Sequence, residues 1–211
     1  MTDAHHEHDH SSNGEIDWDA RYSESEQRWS GNPNVALVDA VRDLAPGRAV
    51  DIGCGEGADA VWLARNGWDV TALDVSAVAL ERAARHANDT GVGVHWIHAG
   101  LLDASLQPAS FNLVSAQYPV LAKTPEFAAE HILLGAVAIG GTLVIVHHAD
   151  FQSPGEDHHG ADPADYVGPW DIVPLLDEGW TIEVNETRPR HVASGAGAGH
   201  TEDVVLIAHR V

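Results

Sequence analysis

A chain of 211 residues with 32 acids against 11 Lys and Arg carries a formal net charge of -21, fits one domain with a sizeable core and leaves no room for a second catalytic one. That charge repels a polyphosphate backbone and no basic patch interrupts it, so nucleic acid is not the expected substrate. The single cysteine excludes an internal disulfide and a multi-thiolate metal site. Neither a secretory leader nor an uninterrupted membrane span is evident, which predicts a cytoplasmic protein with no membrane partner.

Residues 1–14 hold His5, His6, His8 and His10 among acids, with almost nothing apolar to bury, and read as a disordered His-rich tail. Such a tract binds zinc, nickel or copper only where something fixes its geometry. The pattern turns helical over Ile16–Tyr22 and again over Trp29–Asn34, and a helix over Val35–Leu44 ends at the Pro46-Gly47 turn.

Strands and helices then alternate, which argues for a parallel sheet with helices on both faces. Strand 48–52 leads into a helix over Gly55–Asn66 that Gly67 stops. Strand 68–73 is followed by a helix that Ser76 caps and that ends before Gly91. Strands 93–98 and 111–116 precede a helix begun by Thr124-Pro125 and reaching Ala138. Gly140-Gly141 turns into strand 142–148, whose end carries His147 and His148. The stretch 149–169 is too irregular for an element and too long for a connector, hence a candidate substrate loop. A short helix over 170–178 and two strands, 180–190 and 201–210, joined by the Gly/Ala-rich 193–199, close the chain.

The chemistry centres on Val50-Asp51-Ile52-Gly53-Cys54-Gly55-Glu56-Gly57, a buried strand running into a glycine turn whose backbone a ligand can approach. Gly53, Gly55 and Ala58 satisfy the loose dinucleotide fingerprint. Asp51 argues against it: a strand-end carboxylate aimed at the turn is poorly placed for a pyrophosphate and well placed for a cation. Cys54 reads as a small spacer. Asp74, at the end of the second strand, can accept both ribose hydroxyls, with Val75 against the adenine. Gln117 and Tyr118 follow the fourth strand and face the ligand by the rule that ligands sit beyond the carboxyl ends of parallel strands. Of His147 and His148, alternation sends one to each face of the sheet, and a histidine at the mouth can take a proton from a nucleophile.

On Asp51, Gly53, Gly55 and Gly57 the chain resembles the class I S-adenosylmethionine-dependent methyltransferases, whose first motif is D-x-G-x-G-x-G, and the resemblance extends from about Trp18 to the C-terminus. It implies an α/β, Rossmann-like, three-layer fold whose mostly parallel seven-stranded sheet has an antiparallel last strand. The implied cofactor is S-adenosylmethionine and the implied partner a small-molecule acceptor, with the protein a monomer or homodimer. The expected cofactor contacts are Trp18, Tyr22, Trp29, Asp51, Gly53, Cys54, Gly55, Asp74, Val75, Gly100, Leu101, Leu102 and Gln117. Tyr118, His148 and Trp170 are expected at the acceptor, with His147 as the proton acceptor.

The segment 15–45 then reads either as a lid or as ordinary packing on the domain. Two positions depart from the family pattern. The acid that usually follows the third strand is Gly100, so either the backbone of Gly100 to Leu102 or Asp103 meets the adenine edge. The usual F-D-L-V is Phe111-Asn112-Leu113-Val114. A nicotinamide-dependent oxidoreductase and a non-catalytic cofactor- or metal-binding regulator are the alternatives.

Overall fold

The computed structural model describes residues 16–152, 165–190, 195 and 199–211. The His-rich tail, His158, His159, the middle of the candidate substrate loop and most of 193–199 lie outside the described residues.

Seven strands form one sheet in the order β3-β2-β1-β4-β5-β7-β6. They are β1 (Arg48–Ile52), β2 (Asp69–Asp74), β3 (His95–His98), β4 (Phe111–Gln117), β5 (Val137–His148), β6 (Trp180–Pro189) and β7 (Glu202–Arg210). The first five pair in parallel, while β7 runs antiparallel to both β5 and β6. The strand order reverses direction between β1 and β4, the crevice where open α/β sheets bind ligands.

Alternating side chains divide the strands between two cores. Val50, Ile52, Leu143, Ile145 and Leu206 face one layer, which is covered by α5 (Ala128–Ala136) and the short α6 (Pro169–Ile172). Ala49, Val144, Val146, Val205 and Ile207 face the other, covered by α2 (Val35–Val41) and α3 (Ala58–Arg65). Sheets buried on both faces read as near-continuous apolar runs, as Leu143 to Val146 does.

Helix α4 (Ala77–Thr90) obeys its sequence signals: Ser76 Oγ accepts from Ala79 N, and Gly91 closes it in the left-handed conformation. Helix α1 (Trp18–Ser23) is capped by Asp17, whose Oδ1 accepts from Ala20 N.

Four local expectations need correction. Trp29–Asn34 is not a helix but an irregular, bending segment. The helix after the glycine turn begins at Ala58 rather than Gly55, because Gly53, Gly55 and Gly57 all hold positive φ. Thr124 is not the helix cap: its Oγ1 accepts from Ala128 N, but it closes a turn in which Phe127 is left-handed, and the helix starts only at Ala128, with Phe127 as its N-cap. Gly140-Gly141 lies inside β5, where the pairing slips between Phe111↔Val137 and Leu113↔Thr142. A Cβ on Gly141 would sit 2.9 Å from the carbonyl oxygens of both Ala138 and Phe111, so the irregularity is built on its missing side chain.

Candidate functional site

A cavity of about 450 Å³ opens beyond the carboxyl ends of β1, β2, β4 and β5, and the three glycines of the turn serve it differently. Gly53 lines it, and a Cβ there would meet nothing. A Cβ on Gly55 would come within 2.8 Å of Tyr22 Oη and 3.2 Å of Trp29 Nε1. Gly55 is therefore the seat of the N-terminal segment and does not line the cavity. At Gly57 a Cβ would strike Ala83 and Trp96, so that glycine permits the close approach of α4 and β3.

Strand ends supply the acids. Asp74 is fixed by two backbone donors, Gly55 N to Oδ2 at 2.8 Å and Ser76 N to Oδ1 at 2.8 Å. Burial raises its pKa and those backbone hydrogen bonds oppose the rise. Asp51 is buried, and burial together with the nearby Asp59 and Asp74 carboxylates pushes it well above the usual carboxylate range. Its Oδ2 has no hydrogen-bond partner, nor has Oε1 of buried Gln117, whose amide nitrogen contacts Ser115 Oγ at 3.2 Å. Both residues line the cavity from adjacent strands, since Asp51 pairs with Ser115, two residues before Gln117. Buried polar atoms are normally satisfied, so two acceptors open to one cavity describe a place for a cationic donor such as an ammonium.

Trp18, Tyr22 and Trp29 form the roof. Glu56, inside the glycine turn, accepts from the backbone N–H of Arg28 (3.0 Å) and of Trp29 (2.9 Å) and from Arg82 Nη1 (2.8 Å). Arg82 also donates to the carbonyls of Tyr22 and Ser25. Asp19 takes Ser76 Oγ and Val78 N at the positive N-terminal end of α4, and Asp59 takes both nitrogens of Asn34. The roof is thus fastened to the floor along its length.

The wall opposite the turn holds Val75, Gly100, Leu101 and Leu102. The acid missing at position 100 leaves Asp103 on the lining, with Oδ2 3.7 Å from where a Gly100 Cβ would stand. Cys54 also lines the cavity, half-buried, and burial pushes its thiol up.

At the far end Tyr118 and His148 enter the lining, with Tyr118 held at positive φ just after β4. His147 does not fit the proton-accepting role expected of it. It is 2 % exposed and absent from the lining; Trp170, also off the lining, lies 5.8 Å from its ring. Burial pushes its pKa down to about 3. Alternation along β5 gives the cavity to His148 and the packed position to His147.

Sequence reasoning missed three residues at this end: Asp203, Arg190 and His200. Asp203 Oδ2 accepts from Tyr118 Oη at 2.8 Å, its Oδ1 lies 3.2 Å from His148 Nδ1, and Arg190 Nε is 3.7 Å away. The signal available was the Glu202-Asp203 pair ahead of the apolar run Val204 to Ala208, but only the antiparallel register, His148↔Asp203, gives it meaning.

Residues 49–134 match a family model described as a methyltransferase domain. An uncharacterized methyltransferase of Mycobacterium tuberculosis is 37% identical over 123 residues, which span 57% of this chain and 61% of that protein. A solved structure concerned with the conversion of a disulfide bond into a thioacetal group during echinomycin biosynthesis superposes with a TM-score of 0.70 at 24% identity, covering 91% of both chains. The N-methyltransferase NodS from Bradyrhizobium japonicum, in complex with S-adenosyl-L-homocysteine, superposes with a TM-score of 0.63 at 19% identity over 83% of both. At these identities the two structures speak to the shared fold.

Proposed function

We propose that this chain, which belongs to the class I S-adenosylmethionine-dependent methyltransferase family, moves a methyl group from S-adenosylmethionine to a small-molecule acceptor by direct in-line displacement. The observation that carries the reading is the pair of unpartnered acceptor oxygens, Asp51 Oδ2 and Gln117 Oε1, at the switch point of the sheet. An ammonium satisfies both and relieves the mutual repulsion of Asp51, Asp59 and Asp74. A pyrophosphate would add negative charge to the same place.

S-adenosylmethionine supplies an activated methyl group on a sulfonium, so the protein's own work is binding, alignment and exclusion of water. Asp74 offers its remaining lone pairs to ribose hydroxyls. Val75, Leu101 and Leu102 form an apolar slot for the adenine, with Asp103 beside its edge. Trp18, Tyr22 and Trp29 close the slot from above. Tyr118 and His148 face the acceptor, which the returning end of the 149–169 segment borders: Val167 N donates to Leu121 O and Lys123 N to Asp165 O, each at 2.8 Å.

A small acceptor suits both the cavity volume and the net charge of -21, which opposes a nucleic-acid substrate. No helix among the described residues is long and apolar enough to cross a membrane, and we place the protein in the cytoplasm. Every site residue named comes from one chain, so the reading holds for a monomer or for a homodimer.

Thermal denaturation tests the proposal, because a ligand that binds only the folded state raises the melting temperature by mass action. S-adenosylhomocysteine should raise it by several degrees, and NAD or NADP should leave it unchanged. A response to a nicotinamide cofactor alone would overturn the reading.

A further inference from the structure

At the far end of the cavity three rings and a guanidinium form one column. The His200 ring lies 3.7 Å from that of His148, the Tyr118 ring lies 4.3 Å from that of His148, and the Arg190 guanidinium sits 4.7 Å over Tyr118. His200, whose Nδ1 is 2.7 Å from Asp150 Oδ2, lines a separate small pocket together with that acid. Tyr118, His148 and Arg190 line the cavity itself. The column therefore begins outside the cavity and ends inside it, on a positive charge.

Charge is segregated along the lining. Its acids, Asp51, Glu56, Asp59, Asp74 and Asp103, belong to the glycine turn and to the wall that carries Gly100, whereas Arg190 is the one Lys or Arg on the lining among the described residues. Arg190 stands just beyond β6, where its N–H donates to Thr201 O at 2.7 Å, and its side chain is 8 % exposed. Asp203, 3.7 Å from Arg190 Nε, lies off the lining and is shared with Tyr118 and His148. With five N–H donors in a planar fork, a guanidinium serves several acceptors at once and keeps its charge away from water.

Around this charge the wall is apolar: Pro119, Val120, Leu121, Ala122 and Ala129. Val120 is left 39 % exposed, a surface that an apolar ligand would take out of water. We propose that the methyl acceptor is an apolar acid, a molecule with one carboxylate that Arg190 takes and a hydrocarbon body that lies against residues 119–122. This names the acceptor class for the methyltransferase reading and rests on it. One cation, partly balanced by Asp203 in a chain of net charge -21, matches a single negative charge rather than the two of a phosphate.

The test uses the full chain saturated with S-adenosylhomocysteine, whose binding is established beforehand by the shift in melting temperature. Two probes that share one apolar body, 2-naphthoate and its neutral amide 2-naphthamide, are titrated calorimetrically into that complex. The acid should bind at least tenfold more tightly than the amide. Arg190→Gln should abolish the preference while binding the amide as wild type does. Arg190→Lys, which keeps the charge and loses the fork, should retain part of it. A guanidinium that merely buttressed Tyr118 would not distinguish the two probes, and the wild-type comparison stands even if neither variant folds.

Equal binding of acid and amide, binding of neither, or a preference that survives Arg190→Gln would overturn the acceptor class while leaving the cofactor reading intact. A tenfold loss of S-adenosylhomocysteine affinity in Arg190→Gln would give the guanidinium to the cofactor's own carboxylate and overturn the acceptor class as well. No melting shift with S-adenosylhomocysteine in the wild type would overturn both readings.

Discussion

The two halves of the cavity are built on opposite principles. Around the glycine turn, polar side chains are left wanting: Asp51 Oδ2 and Gln117 Oε1 have no partner, and three carboxylates share a buried space. At the far end polar side chains are tied to one another, as Asp203 gathers Tyr118, His148 and Arg190. A site completed by its ligand keeps its stabilising partner outside the chain, whereas a site that must hold groups in fixed orientation supplies the partners itself. One half stores destabilisation that a cation relieves. The other spends its hydrogen bonds on rigidity.

The sharpest way to break this contrast is to remove the carboxylate that organises the far end. Asp203→Ala removes the acceptor of Tyr118 Oη and the carboxylate that lies beside His148 and Arg190, and should cost about 4 kcal/mol of stability in urea unfolding. A loss below about 1 kcal/mol would mean that the network is loose, and the contrast would fail.

Acid titration separates the halves by sign. The folded pKa of His147 is about 3 against 6.5 for the free side chain. Below 6.5 the unfolded chain therefore binds a proton that the folded chain refuses; the contribution of His147 is complete above pH 6.5 and is lost as pH falls toward 3. A change of this size amounts to roughly 3 kcal/mol after allowance for relaxation. His148, shifted the same way, adds to it.

Asp51, Asp59 and Asp74 act oppositely, because their folded values lie above 3.8. The folded chain keeps protons that the unfolded chain has released, so their penalty grows as pH rises from 3.8 through the folded values. Denaturant unfolding at a series of pH values should show wild type losing more stability between pH 6.5 and 4 than His147→Leu does. Identical slopes would remove His147 from the account.

The roof offers a third test. Arg82 bonds Glu56 and two carbonyls of the N-terminal segment from a half-buried position, and Arg82→Ala should cost about 2 kcal/mol. Hydrogen exchange over residues 18–29 should accelerate without change in the sheet. S-adenosylhomocysteine should restore part of the protection if the segment closes on the ligand; equal exchange in both states would identify it as static packing.

What the sequence disclosed follows the same division. The half around the glycine turn is contiguous: Asp51 and the glycines lie within seven residues and Asp74 ends the next strand, so pattern alone brings them to one end of the sheet. Even there the reason for Gly55 was hidden, since its close neighbours, Tyr22 and Trp29, arrive from thirty or so residues upstream. The far end is assembled from residues 118, 148, 190, 200 and 203, and nothing local links them. The registers of β4–β5, β5–β7 and β6–β7 together do so. The same gap left the two histidines undivided: alternation says that they face opposite sides, but only the folded sheet shows that His148 lines the cavity and His147 does not.

The smallest expected change in stability is also the most diagnostic. Asp51→Asn removes a buried carboxylate whose Oδ2 has no partner and whose backbone hydrogen bond from Ala60 only partly offsets burial and the neighbouring carboxylates, so it should stabilise the ligand-free protein by about 1 kcal/mol while impairing function. Thermal unfolding without ligand checks this, and a destabilised variant would show that Asp51 is satisfied after all.

Calorimetric titration of wild type and Asp51→Asn with S-adenosylhomocysteine, and with 5′-methylthioadenosine, which lacks the amino-acid ammonium, tests the central claim most directly. The account predicts that wild type binds S-adenosylhomocysteine the more tightly, that the variant loses about 2 kcal/mol on that ligand alone, and that its affinity for 5′-methylthioadenosine is unchanged or slightly improved. Equal losses on both ligands, or none on either, would contradict the assignment of Asp51 and its open oxygen to the cofactor's ammonium.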